Sequence, residues 1–259
     1  MIPPAFAGVE AQLWLWMVAM IRPGAAFLAA PVFGAAFVPV QLRLIIALAV
    51  GIPALAATNF QLPVDGLASI EGFMLVAGEV MAGLAIGFAV QIGFSAAMLA
   101  GETISNAMGL GFAGMVDPAS GQQNPMLSQF LMIVATFLFL AIGGHLALAA
   151  TIVESYRALP PGDAWMSADS IRGLVFFGGV LFAAGLSIAL PVGFAIILVQ
   201  LVMGMLARSA PQLNLFSVGL PAALLAGIVL LAMAAPIMGD GIIAVIQQGL
   251  EESRRLALG

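Results

Sequence analysis

The chain has 259 residues, 63% of them hydrophobic and 7% charged, with a mean hydropathy of +1.17. A soluble globular domain carries about 25% charged residues, so this chain cannot clothe a water-facing surface; a bilayer or a large complex must supply its environment, and the chain reads as one membrane domain. Its net charge is −5, with seven arginines and no lysine, which leaves no basic cluster to neutralise a run of phosphates and argues against nucleic-acid binding; the lack of cysteine excludes disulfides and thiolate metal sites.

Residues 1–12 contain Glu10 and no basic residue. A cleavable signal peptide opens on a positive segment, so the N-terminus is expected to be retained, with the first apolar helix as its insertion signal. A spanning helix needs roughly 20 apolar residues. The first candidate, about Leu13 to Val32, is the weakest, because Arg22-Pro23-Gly24 places a charge and a helix breaker inside it. The second covers about Leu42 to Ala57, followed by a polar connector from Thr58 to Glu71. The third covers about Phe73 to Ala100, interrupted by Glu79 and Gln91, and a loop is predicted from Gly101 to Pro125. The fourth covers about Met126 to Val153, with Gly143-Gly144-His145 in its second half, and a connector follows from Glu154 to Arg172. The fifth covers about Leu174 to Leu206, around Pro191. A tight break at Arg208–Asn214 leads to the sixth, about Leu215 to Ile246, around Pro221 and Pro236.

The prediction is therefore an all-α polytopic membrane protein with about six long hydrophobic helices. Several runs exceed one bilayer crossing and contain proline, so some are expected to break into hairpins whose freed backbone groups are satisfied by protein neighbours. The spread of arginines leans towards a cytoplasmic tail. Gly83-Leu84-Ala85-Ile86-Gly87 is a GxxxG step that lets two helix backbones approach closely, and Gly178, Gly179 and Gly185 offer the same on the fifth helix.

The loop after the third helix is glycine-rich, and Gly costs about 1 kcal/mol relative to Ala in a helix interior. It holds apolar Leu110, Phe112, Met115 and Val116, then Asp117, Pro118 and Ser120. A flexible loop with apolar tips suits insertion into a pore, where methionine can seal irregular shapes. The stretch Met108-Gly-Leu-Gly-Phe-Ala-Gly-Met-Val-Asp-Pro-Ala-Ser120 resembles the corresponding loop of the FliR family of flagellar export proteins. Three other segments agree in order and spacing. Ala82-Gly83-Leu84-Ala85-Ile86-Gly87-Phe88 resembles the family's third helix. Gly143-Gly144-His145 resembles its NGGH-like turn, with Ile142 where Asn is often found. Arg208-Ser-Ala-Pro211-Gln212-Leu-Asn214 resembles the Arg-x-Ala-Pro-Gln segment before the last helix.

The resemblance implies a subunit of the type III export gate in the bacterial inner membrane and flagellar basal body. It implies assembly with FliP-like and FliQ-like subunits, contact with FlhB-like and FlhA-like export proteins, and passage of unfolded substrates. It further implies FliP-like helices over about 1–170, a FliQ-like hairpin over about 171–259, and a pore plug at 109–125. Plug and gating would fall to Leu110, Phe112, Met115, Val116, Asp117 and Pro118. Subunit packing would fall to Glu79, Gly83, Gly87, Arg208, Pro211 and Gln212.

Read as residues, Glu79 is either an intersubunit polar contact, a proton-coupling group, or a carboxylate that reaches water at the interface. Arg208 is either a partner for a neighbouring subunit's acid or a snorkelling side chain. His145 is the single histidine and lacks companions at metal or catalytic spacing, so a structural hydrogen bond is expected of it. No nucleophile elbow and no phosphate-binding loop is present, so no enzyme activity and no cofactor is expected. The competing readings are the equivalent subunit of a virulence secretion system and a secondary transporter of small solutes. No convincing internal repeat supports the transporter.

Overall fold

The computed structural model describes residues 7–58, 60–63, 67, 69–110, 126–209 and 219–259. Among these are seven α-helices: α1 (Ala7–Ala29), α2 (Val40–Ala56), α3 (Ile70–Ala107), α4 (Met126–Ala141), α5 (Gly144–Ala158), α6 (Ala168–Ser209) and α7 (Leu220–Leu258). Four of them are long and apolar enough to cross a membrane, or five spans if α4 and α5 count as one interrupted span. The protein is thus an all-α polytopic membrane protein.

Where the helices stop differs from the sequence-based boundaries. Proline was expected to break the long runs, yet Pro23, Pro191 and Pro236 all lie inside unbroken helices. A proline removes one N–H and crowds the carbonyl one turn earlier, and a long helix survives this where neighbours supply the lost partner. Among the described residues, the run that divides is the fourth. It divides at Ile142-Gly143, where Gly143 takes a left-handed φ of 72°. The loop expected from Gly101 begins later, because α3 continues to Ala107 with Gly101 inside it. That glycine is tolerated because it faces backbone: a Cβ on Gly101 would lie 2.6 Å from Ser128 Cα. The helix ends instead at Gly109, with φ of 78°. There the N–H of Leu110 donates to the Ser105 carbonyl at 3.0 Å, a Schellman closure that needs a left-handed residue. The polar tail is also helical, since α7 carries Glu251 to Arg255 to its end at Leu258.

The contacts divide the chain into two interleaved units. The first comprises Met1–Ile92, Leu140–Gly178 and Gln247–Gly259. Small residues dominate its core: Ala19, Ala26, Ala30 and Ala47 are buried on α1, the turn after it and α2, and Ala85 and Ala89 of α3 meet Leu256. The second unit comprises Gly93–Phe139 and Gly179–Ile246. Its core is also built on close approach. Phe94 meets Phe139 edge-on at 5.4 Å, a Cβ on Gly185 would press on the Ala96 carbonyl and Leu99, and a Cβ on Gly93 would press on the Val245 carbonyl. Hydrocarbon offers helices no hydrophobic drive to associate, so dispersion across small-residue faces must hold them.

Candidate functional site

Arg22, the residue that weakened the first span in sequence terms, is the centre of the first unit's polar core. Its side chain and that of Glu79 are both 0% exposed. Two charges out of water need hydrogen bonds as well as each other, and four of the five guanidinium protons find acceptors here. Arg22 Nε donates to Glu79 Oε2 at 2.9 Å and Nη2 donates to Oε1 at 2.6 Å, a bidentate fork. Nη2 also donates to the Leu159 carbonyl at 2.8 Å, and Nη1 donates to Ser155 Oγ at 3.0 Å. Ser155 turns its own hydroxyl proton to the Ile152 carbonyl at 2.7 Å, which leaves its lone pairs facing the guanidinium. The guanidinium carbon lies 4.3 Å from the centre of the Tyr156 ring, within cation–π range. A lysine could not reproduce this, because only the planar fork reaches carboxylate, hydroxyl and carbonyl together.

Pro23 is explained by the same cluster. With no N–H, it leaves the carbonyl of Ala19, one turn earlier, without its helical donor. The Tyr156 hydroxyl donates to that carbonyl at 3.1 Å. Gly51 on α2 faces the same spot: a Cβ there would overlap the Ala19 carbonyl and lie 3.3 Å from Pro23 Cγ. The apparent defect in α1 is therefore a junction made with α2 and α5.

The α3 side follows from helical spacing. Glu79, Gly83 and Gly87 stand four residues apart and share one face. A Cβ on Gly83 would overlap the Arg22 carbonyl and lie 2.8 Å from the Ala25 Cβ, and a Cβ on Gly87 would overlap the Ala26 carbonyl. The glycine step expected to receive another subunit thus receives α1 of the same chain. Glu79, expected at a subunit contact, a proton-coupling site or the water interface, is held inside the chain by Arg22. The cluster's chemistry is that of a hydrogen-bonded, charge-balanced lock between three helices.

None of the other expected residues that the structure describes takes part in the cluster. Leu110 is partly exposed, directly after the closure that ends α3. Phe112, Met115, Val116, Asp117 and Pro118 lie outside the described residues, as do Pro211 and Gln212. Arg208 is exposed in the last turn of α6. Gly178 and Gly179 face open space. His145 Nδ1 is buried with no hydrogen-bond partner among the described residues. Sequence reasoning missed Ser155 and Tyr156 by assigning them to a connector, whereas α5 runs to Ala158. The available signal was a pair of matching rows, Arg22-x3-Ala26-x3-Ala30 and Glu79-x3-Gly83-x3-Gly87, each a charge followed by small residues at helical spacing.

A membrane chain whose first and third helices are clamped by a buried ion pair can be set beside known proteins. The sequence model of the family described as Bacterial export proteins, family 1, matches residues 13–249. The chain belongs to that family. It is similar to the flagellar biosynthetic protein FliR of Escherichia coli (strain K12), 34% identical over 230 residues, covering 88% of this chain and 85% of the relative. FliR of Pectobacterium carotovorum subsp. carotovorum is 35% identical over 196 residues, covering 76% of this chain and 75% of the relative. More distantly, the surface presentation of antigens protein SpaR of Shigella flexneri is 28% identical over 148 residues, covering 57% of each. The matched span contains Arg22, Glu79, Ser155 and Tyr156, so the clamp lies within the FliR-type region itself.

Proposed function

We propose that this FliR-type chain is a core subunit of a flagellar type III export gate in the bacterial inner membrane, forming part of the channel for unfolded flagellar substrates. In this reading it assembles with FliP-like and FliQ-like subunits and is contacted by FlhB-like and FlhA-like export proteins. Residues of about 1–170 correspond to FliP-like helices and about 171–259 to a FliQ-like hairpin. The segment 109–125 serves as the pore plug, with Leu110, Phe112, Met115, Val116, Asp117 and Pro118 as its plug and gating residues. Arg208, Pro211 and Gln212 face a neighbouring subunit. No catalytic step is assigned to the chain.

The observation that carries the reading is the length of bare apolar surface on α6. Exposed large hydrophobic residues run along it from Val175 to Leu206. At 1.5 Å per residue that is about 47 Å of helix, against a hydrocarbon core of about 30 Å. One crossing cannot cover it, and the surplus calls for apolar protein partners. Family membership supplies their kind. The flagellar form is favoured over the virulence form because the Escherichia and Pectobacterium FliR relatives align over more of the chain than SpaR does.

Mild-detergent extraction from cells carrying the flagellar operons tests this. The chain is expected to co-purify with FliP-like and FliQ-like subunits. A stable, monodisperse chain extracted without them overturns the proposal. Restoration of motility to a strain lacking its own FliR separates the flagellar form from the virulence form.

A further inference from the structure

A cavity of about 760 Å³ opens in the first unit, where the end of α2, the first turns of α3 and the last turn of α5 meet. Its size lies within the range of small-molecule sites, about 300–1,000 Å³. Two opposite charges line it: Arg157 in the last turn of α5 and Glu71 in the first turn of α3. Both are exposed, and neither makes an ion pair or a side-chain hydrogen bond among the described residues. The rest of the wall includes apolar Phe60, Leu62, Met74 and Leu75. A cation, an anion and an apolar wall in one cavity are complementary to an amphiphile that carries both charges on its head.

The tryptophans suit a position of this region at bilayer-interface depth. All three in the chain are exposed on the first unit. Trp16 lines a smaller cavity that shares Thr58 and Phe60 with the larger one. Trp165 lies beside α3, its Nε1 3.7 Å from where a Cβ on Gly78 would stand. Tryptophan concentrates where the apolar ring meets the headgroup layer.

We propose that this cavity binds one zwitterionic amino-phospholipid. Its phosphate sits on the Arg157 guanidinium, which presents a planar fork to phosphate oxygens. Its ammonium sits on the Glu71 carboxylate, and the upper acyl chains lie along Phe60, Met74 and Leu75. Glu71 sets the selectivity, since a purely anionic headgroup would meet a like charge there. None of its lining residues belongs to the proposed plug segment 109–125, and the proposal stands whether or not the export reading does.

Native mass spectrometry of the full chain, with whichever subunits accompany it, reads this directly. The probe is mixed vesicles of phosphatidylethanolamine and phosphatidylglycerol. The wild-type chain is expected to retain one phosphatidylethanolamine in preference to phosphatidylglycerol. Arg157→Gln lowers that occupancy about tenfold, the loss of one charge-assisted contact. Arg157→Lys recovers part of it. Glu71→Gln keeps lipid binding but abolishes the preference between the two headgroups. Arg172→Gln, which does not line the cavity, behaves as wild type. All three exchanged residues are exposed, and a thermal melt checks each fold. Equal retention of both lipids by the wild type overturns the proposal. So does unchanged retention in Arg157→Gln, or a cavity filled by another polypeptide with no lipid held.

Discussion

Arg22 shows how much one buried side chain can decide. Removing one partner of a buried ion pair leaves an uncompensated charge and costs about 3–5 kcal/mol, whereas replacing both with apolar groups is often close to neutral. Arg22→Leu and Glu79→Leu are therefore each expected to destabilise the solubilised chain by that amount. The double exchange should cost less than either single one, because no unpaired charge is left and only the Leu159 carbonyl and the Ser155 hydroxyl oxygen lose a donor. Thermal unfolding in detergent checks the order, and a double variant worse than both singles would refute the account. Tyr156 offers a second test. Tyr156→Phe strands the Ala19 carbonyl and should cost about 1–3 kcal/mol. In a Pro23→Ala background the restored N–H can serve that carbonyl, so the same exchange should cost measurably less. Additive effects in that double-mutant cycle would break the link between proline and tyrosine.

At the scale of elements, glycine position matters more than glycine number. Gly83 and Gly178 both lie inside long helices, but a Cβ on Gly83 would overlap the Arg22 carbonyl while one on Gly178 meets nothing within 4 Å. Gly83→Ala should push α3 off α1 and destabilise the chain by about 1–3 kcal/mol. Gly178→Ala should stabilise it by about 0.5–1 kcal/mol through helix propensity alone. Melting temperatures of the two variants are expected to move in opposite directions. The existence of the long helices was legible in the sequence, since runs of apolar residues mark them without ambiguity. Their ends were less so. Pro23, Pro191 and Pro236 read as breaks because proline breaks helices in isolation, and Gly101 read as loop because glycine is poor in a helix. At Pro23 and Gly101 partner geometry overrode this: a tyrosine hydroxyl serves the freed carbonyl at Ala19, and the Ser128 backbone packs against Gly101.

For the whole molecule, the three longest helices are about 57, 63 and 58 Å at 1.5 Å per residue, each about twice the hydrocarbon thickness. Such lengths suit an assembly that stands partly proud of the bilayer and is covered by other chains. If 109–125 plugs the channel of that assembly, removing Gly111–Pro118 should raise small-ion leakage across the membrane of cells that hold the complete gate. Conductance that stays at the wild-type level would remove the plug role while leaving the subunit role intact.

The sequence by itself determined the solvent and the family. A chain with 7% charge must be covered by a bilayer or by other chains, and four motifs in order marked the FliR type, to which the chain belongs. Composition and local order survive without any fold, which is why they could be read directly. Only the tertiary structure decided what the charges inside the membrane helices are for. Arg22 and Glu79 stand 57 positions apart, and Ser155 lies 133 beyond Arg22. Pairing at such separations is set by which helix faces meet, and no local pattern states it. The same reason explains the glycines: the step at Gly83 announced a close approach, but only the packed chain could say that the approaching helix was its own α1.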